Sequence, residues 1–594
     1  RAARVAARLK SSSLPREPEA DVSYFVVENF GHGLDRRKHI LSLPPGSLYV
    51  GRNVNINRGG EIETCKDFVL KYTLPANTFG MIAAAGQLYA FGSVPDPGLP
   101  AGIQYQRLQH PSGLAMTAMV WAYPIKGKIY AIAAFQGGFI THFYNGSVVA
   151  DWQTGAVGGA ITSNADLAGR FATIINTDPR FSATSSGTVV TIVGLPNAAF
   201  TISANAVNGG ATDDQTATVA LVQAAAAGVP QISTVTIGGT FEAADTFSIV
   251  LAGTAFGGAP STQGEQGTVI IALKGKAHSV AGPNLFGSAI DDPTEWNAGT
   301  GSFVIDMSSQ AEGAERLTAL GIFQNLLAIF ARNTIQLWAM DADPANNAVR
   351  QVLQNIGTMA PKTVKAFGDQ DVFFLSDTGL RSLKTRLNSD TAAMSDIGSP
   401  VDPLIIAAIA AAGGGASKAI GAIDPVDGRY LLHIGTVTYA FSFFPNGKVA
   451  GWSTYEFDLP ITDFAIVGQR VYARAGDVIY LIGGDNNAVY TQRAPFVKLP
   501  FLSARQISTW KHFTGIDVIV DGEWTIKVAT DPNDPDVEEE VAHVTQSSVG
   551  NEEGPAIPVN GESEMVSLSF TGEGDGTYAR LSTVVVHYEP RDAA

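Results

Sequence analysis

The sequence predicts a mainly β protein: a β-propeller of five to seven blades, six favoured, with an inserted α+β or sandwich domain and a C-terminal antiparallel β-sandwich. Three observations predict it. Short apolar runs such as 326–330, 335–338 and 372–375 are each bounded by Gly, Asn or Asp, as hairpin strands are. Similar strand starts recur at a near-constant interval. Gly86 and Gly127 open related segments 41 residues apart, Asn325 and Asp369 follow at a spacing of 44, and Asp427 and Gly468 at 41. Repeats of about 40–50 residues made of short strands are the mark of propeller blades, since helical solenoids show a 3.6-residue period instead. Finally, 63 glycines beside only 16% charged residues suit a chain rich in tight turns.

Length and charge narrow the field. A chain of 594 residues exceeds one core and calls for about three or four domains. The net charge of −16 argues against a sequence-reading nucleic-acid binder with a broad basic face, but not against a channel that lets nucleic acid slide. Cys65 is the single cysteine, so no intrachain disulfide or thiolate cluster forms. The apolar run 404–412 is about half the length a membrane span needs, so no membrane span is expected.

In chain order, residues 1–21 read as a flexible basic arm carrying Arg1, Arg4, Arg8, Lys10 and Arg16, with docking onto an acidic partner as the sharper alternative. The arm lacks the apolar region of a signal peptide, and its start at Arg1 points to residues before it. Residues 22–154 hold N-terminal strands and the first blades, with turns at Pro44-Pro45-Gly46 and Gly59-Gly60. The segment 155–277 is a Gly/Ala/Thr-rich insertion with a helix over 164–176, two matching β segments at 187–204 and 234–256, and a second helix expected over 212–227. Residues 278–493 carry the remaining blades and an apolar helix over 401–412. Residues 494–594 alternate as in a half-buried antiparallel sandwich. Trp152, Trp296, Trp338 and Trp452 each follow a repeat unit and are the predicted structural core residues, either packing between blades or serving as ordinary β-core aromatics.

Catalytic, cofactor and metal residues are not found. Gly31-His32-Gly33 lacks the rest of a dinucleotide fingerprint, and the nine histidines show no ligand spacing. Asp531, Asp534 and Asp536 sit among prolines without the central glycine of a calcium loop. Asp291, Asp292, Asp377 and Asp427 are candidate carboxylates for a propeller glycosidase, yet Asp is also a default turn residue. Cys65 reads as a buried free thiol.

Two sets of residues carry a family resemblance. The first is Asn29, Phe30, Gly33, Leu34 and Asp35, then Pro45 and Gly46, then Asn53, Val54, Ile56, Gly59 and Gly60. The second is the ordered series 291–296, 334–338, 356–361 and 374–380. Together they resemble the tail nozzle (tail tubular, or packaged-DNA stabilisation) proteins of short-tailed bacteriophages, and the run from Gly239 resembles modules of phage tails and fibres. The resemblance implies a structural protein of the virion tail, without enzymatic activity or cofactor. It implies a homo-oligomeric ring, six copies favoured, seated on the tail adaptor and portal, that retains the genome and opens for DNA ejection. DNA would pass through the channel without sequence-specific binding, and the insertion would reach fibres or the host surface. Gate residues are not singled out. The alternative expectation is a glycan-binding or glycan-cleaving propeller accessory protein of the virion or cell surface.

Overall fold

The computed structural model describes residues 23–591 apart from 96, 111–112, 137–138, 154–162, 177–179, 208–211, 241, 243–244, 253, 259–266, 297–298, 309–314, 369–370, 386–391, 413–414, 445–447 and 552–553. The basic arm at 1–21 lies outside the described residues. The protein is mainly β.

Seven small sheets share one plan. Their first strands are Phe79–Ala84, Met116–Ile125, Ile270–Leu273, Leu317–Phe323, Lys365–Phe367, Ile420–Asp424 and Ile461–Val467. Among the described residues five of them are four-stranded with antiparallel neighbours, the sixth is four antiparallel strands at the edge of a 16-stranded sheet, and the first has three, its Ile103–Arg107 running parallel to Gln87–Gly92. The local reason for the repeating hairpins is turn chemistry. In five sheets the first two strands meet at a two-residue turn with both φ positive: Ala85-Gly86, Lys126-Gly127, Lys274-Gly275, Gln324-Asn325 and Gly468-Gln469. Such mirror-image turns match the right-handed twist of paired strands, and Gly or Asn adopts them at least cost. The recurring glycines of the sequence are these turns.

Each sheet shares an apolar core with the next. Phe91 meets Phe143 between the first and second sheets, Ile132 meets Ile270 between the second and third, and Leu285 meets Leu327 between the third and fourth. Phe330 and Phe374, with ring centroids 5.2 Å apart, join the fourth and fifth. Phe373 and Tyr430 join the fifth and sixth, and Leu431 and Val471 the sixth and seventh. Ile479 and Leu88 then join the seventh back to the first. The first strands touch in the same order, with Ile461–Val467 against Phe79–Ala84, so the seven sheets form a closed cycle.

Among the described residues, one of these sheets is not built from consecutive strands. The outer strand of the seventh sheet is Phe68–Thr73, supplied from before the first sheet and paired with Val478–Ile482. One sheet is therefore assembled from both ends of the cycle. No local period can show this.

Between the second and third sheets lies a separate core of Leu167, Phe171, Ile175, Val190, Ile192, Val235 and Ile249. The helix α1 (Asn164–Ile175) begins where Ser163 Oγ accepts from the Asp166 amide at 3.1 Å, a side-chain N-cap. It packs on a four-stranded and a three-stranded sheet. The helix expected over 212–227 is instead the strand Thr216–Gln223, a hairpin partner of Pro230–Gly238. Thr216, Thr218 and Val219 are β-branched and the exposure alternates along its first five residues, so the two-residue period overrides the helix-forming alanines. The helix α2 (Asp402–Ala411) lies where the 401–412 run predicts one, and it presses Ile405 into the core between the fifth and sixth sheets.

The C-terminal strands are antiparallel and centre on Lys511–Ala529, which is 19 residues long. Its first half pairs with Arg580–Pro590 and its second with Ser567–Gly572. Residues 23–64 join this body: Ser23–Val27 and Ile62–Thr64 pair with Arg580–Pro590, and Phe30, Val54 and Ile62 share a core with Trp524, Phe570 and Val584. Val50–Arg52 bridges to the last strand of the sixth sheet, so cycle and C-terminal body are one continuous hydrogen-bonded structure. Among the described residues no helix is long and apolar enough to cross a membrane.

Candidate functional site

Two places in this fold concentrate unusual residues: the joint between the cycle and the C-terminal body, and the cavity on the axis of the cycle.

The joint is made by the N-terminal glycine and asparagine positions. The Phe30 amide donates to the Gly60 carbonyl at 2.8 Å, and the Gly31 amide to Asn29 Oδ1 at 2.7 Å. Gly33, at φ 63°, bridges in parallel to Trp452 in the sixth sheet, and a Cβ there would overlap the Trp452 amide. Gly60, at φ 84°, stands so close to Asn29 that a side chain would displace its amide group. Asn53, at φ 55°, accepts from the Glu456 amide at 2.9 Å, and its own amide donates to Thr454 at 2.6 Å. These residues are spread over some thirty positions of sequence and meet where two bodies fuse.

A buried charge cluster locks the same joint. Arg429, on the sixth sheet, donates to Glu63 at 3.0 Å and Ser442 at 3.1 Å, and pairs with Asp427 at 2.9 Å. Lys66 holds the same Asp427 oxygen at 2.9 Å. Burial alone would raise the Asp427 carboxyl, but Arg429 and Lys66 hold it below the ordinary range. Cys65 lies next to this cluster, its thiol pushed well up by burial and hence unreactive as a nucleophile.

The axial cavity measures about 390 Å³ and takes residues from all seven first strands or their flanks. Its wall is mostly apolar, with Met81, Met119, Trp121, Ile270, Ile322 and Phe464 among the residues that form it. Trp121 spans two sheets, its indole N–H donating to the Ile270 carbonyl at 2.8 Å. The charged lining is Lys362, Lys365 and Asp463. Lys362 pairs with Asp463 at 3.0 Å, and Asp463 also faces Arg474 at 3.5 Å. Lys365 makes no ion pair or side-chain hydrogen bond among the described residues. Burial, reinforced by Lys362, pulls its ammonium down to about 8.

The sequence-predicted residues fall as follows. Trp296, Trp338 and Trp452 are all buried in cores shared by neighbouring sheets. Trp452 stacks on Phe441 with centroids 4.8 Å apart. Trp152 is on the strand Ser147–Gln153, opposite Ile140, and its side chain lies outside the described residues. The candidate turn carboxylates are each held locally: Asp291 by Lys126 at 2.6 Å, Asp377 by Arg332 at 2.7 Å, Asp292 by Thr294 at 2.6 Å, and Asp427 as above. None of the four lines the axial cavity. The acidic run 531–539, which holds Asp531, Asp534 and Asp536, is closed by a lysine, since Lys498 Nζ reaches Glu538 at 2.8 Å and the Pro535 carbonyl at 2.6 Å.

Sequence reasoning missed three arrangements. Trp296 Nε1 donates to the Tyr130 hydroxyl at 3.2 Å, and that hydroxyl lies 3.1 Å from His142 Nδ1, whose other ring nitrogen lies 2.9 Å from the Gly267 carbonyl. Lys365 stands in the lining of the axial cavity, and no motif in the sequence marks it. Glu523, His543 and Glu573 bring donor atoms within 4.8 Å of one another, from three separate strands or their ends. That last group is exposed throughout, with water free to compete at every donor.

No family model matches the chain, and no curated protein matches it. Among solved structures it is similar to the AfRom2 CNH domain at 8% identity and a TM-score of 0.23, over 55% of this chain and 90% of that one. A likeness that slight carries no argument.

Proposed function

We propose that the chain is a structural subunit of the tail nozzle of a short-tailed phage: a seven-bladed β-propeller fused to a C-terminal β-sandwich, several copies of which close a ring around a DNA channel. The observation that carries the reading is the joint. The residues bearing the nozzle resemblance, Asn29, Gly33, Asn53 and Gly60, are spent on fusing the cycle of sheets to the C-terminal body. Such use fits a motif that encodes architecture, and a rigid two-part subunit suits a closed ring built from one repeated heterologous interface.

The axial cavity within one subunit is far too small for DNA, so the channel of this reading lies between copies. A net charge of −16 suits a wall that lets phosphate slide past. Retention would then come from a closed constriction, with portal and adaptor proteins as the neighbours above. The insertion, with its own core, would stand clear of the ring and meet fibres or the host surface.

Electron microscopy with light-scattering mass tests this, on the purified protein alone and after addition of a portal–adaptor complex. The expected result is a ring of several copies around a hole, formed alone or on the adaptor. A monomer under both conditions refutes the nozzle reading, and binding on a glycan array would replace it with the accessory-protein alternative.

A further inference from the structure

We propose that the axial cavity is a binding site for one small organic anion: a carboxylate or comparable anionic head on an apolar body, the head paired with Lys365. The reading needs the cycle of sheets but not the nozzle assignment.

The chemistry of the wall selects the ligand class. A volume of about 390 Å³ lies within the range of pockets that hold small ligands. Met119, Trp121, Ile270, Ile322 and Phe464 make the larger part of the wall apolar. A sugar would leave its hydroxyls unpaired against such a wall, and an apolar body would not. The charge is equally selective. Two lysines stand against one aspartate in the lining, leaving one net positive charge inside a protein whose total is −16. Asp463 is already shared between Lys362 and Arg474, so it does not neutralise Lys365. An ammonium facing an apolar cavity without a counter-charge is destabilising, and an anion that enters removes that cost. A metal cation would be repelled by the same lysine.

The site is also built rather than incidental. Lys365 opens the first strand of the fifth sheet, directly after a 3₁₀ turn at Pro361–Thr363. The Thr363 hydroxyl donates to the Ala360 carbonyl at 2.7 Å and accepts from the Leu375 amide at 3.0 Å, which fixes the strand's entry to the cavity. Trp121 is held by its bond to Ile270 and so provides a fixed aromatic surface and a spectroscopic reporter in the wall.

The test is isothermal titration of the full chain with octanoate, naphthalene-2-carboxylate and octyl phosphate, each set against its neutral alcohol. At least one anion is expected to bind one per chain, ten-fold or more tighter than its alcohol, and to change the fluorescence of Trp121. Lys365→Met should abolish that ten-fold preference while leaving the alcohol's affinity in place. Trp121→Phe should remove the fluorescence response without removing the heat of binding, which keeps the proposal testable if the lysine variant does not fold. The proposal is overturned if none of the three anions binds below 1 mM, or if anion and alcohol bind alike. A preference that survives in Lys365→Met overturns it as well.

Discussion

Acid should loosen the contact between the second and third sheets, and His142 allows the effect to be isolated. The imidazole is fully buried. In its neutral form Nε2–H donates to the Gly267 carbonyl while Nδ1 accepts from the Tyr130 hydroxyl, which in turn accepts from the Trp296 indole. Protonating Nδ1 would set a donor against a hydroxyl whose own proton then has no acceptor. Burial accordingly pulls His142 down from its ordinary value to about 4. The unfolded chain takes up this proton near pH 6.5, so the stabilisation is fully present above that and is lost as pH falls towards 4. By pH 4.5 the loss from this one group comes to about 2–3 kcal/mol, at about 1.4 kcal/mol per unit of pKa difference. His278 and His433, also held near 4 by burial, act with the same sign. Asp371, raised to about 6 by burial, acts with the opposite sign and offsets part of the total. Whole-protein acid curves would therefore mix several groups. The clean comparison is His142→Gln, which keeps one donor and one acceptor but does not titrate. Hydrogen exchange of the strands Lys128–Phe135 and Phe139–Tyr144, corrected for intrinsic rates, should report local opening at pH 7.0 and 4.5. Wild type should lose about 2–3 kcal/mol more local stability than the variant over that interval. Equal losses in the two proteins would refute the buried-neutral account of His142.

Further outcomes follow from the joint and the inter-sheet cores. Arg429→Met leaves Glu63 short of its cation and should cost about 3–5 kcal/mol, read as a lowered thermal midpoint; an unchanged midpoint would mean the cluster is solvated. Gly33→Ala should cost upwards of about 1–2 kcal/mol for its positive φ alone, and more for the overlap with Trp452, with faster exchange in Val449–Glu456 as its signature. Trp452→Ala should cost about 3–5 kcal/mol by emptying the core between the fifth and sixth sheets.

Much of this was legible in the residues themselves. Hairpins announce themselves because a type I′ turn needs positive φ at two positions, and Lys126-Gly127 or Gln324-Asn325 supplies it within the chain's own neighbourhood. The helix α2 shows for the same reason, through its prolines and unbroken apolar run. The strand Thr216–Gln223 carries a local helix signal in its alanines, while the pairing with Pro230–Gly238 that decides its state is a tertiary fact. The tryptophans could be chosen by spacing, but which sheets they would join could not.

What the sequence by itself determined is the local grammar: a β protein of repeated short strands and a compositionally distinct insertion. Closure belongs to the tertiary structure. Phe68–Thr73 completes a sheet begun at Ile461, residues 23–64 complete the C-terminal core, and Lys365 acquires its setting only when seven first strands surround it. The physical reason is common to all three. Turn and strand preferences act over a few residues and are written there, whereas burial and charge pairing depend on which distant segments are brought together, and short-range preferences hold no record of that choice.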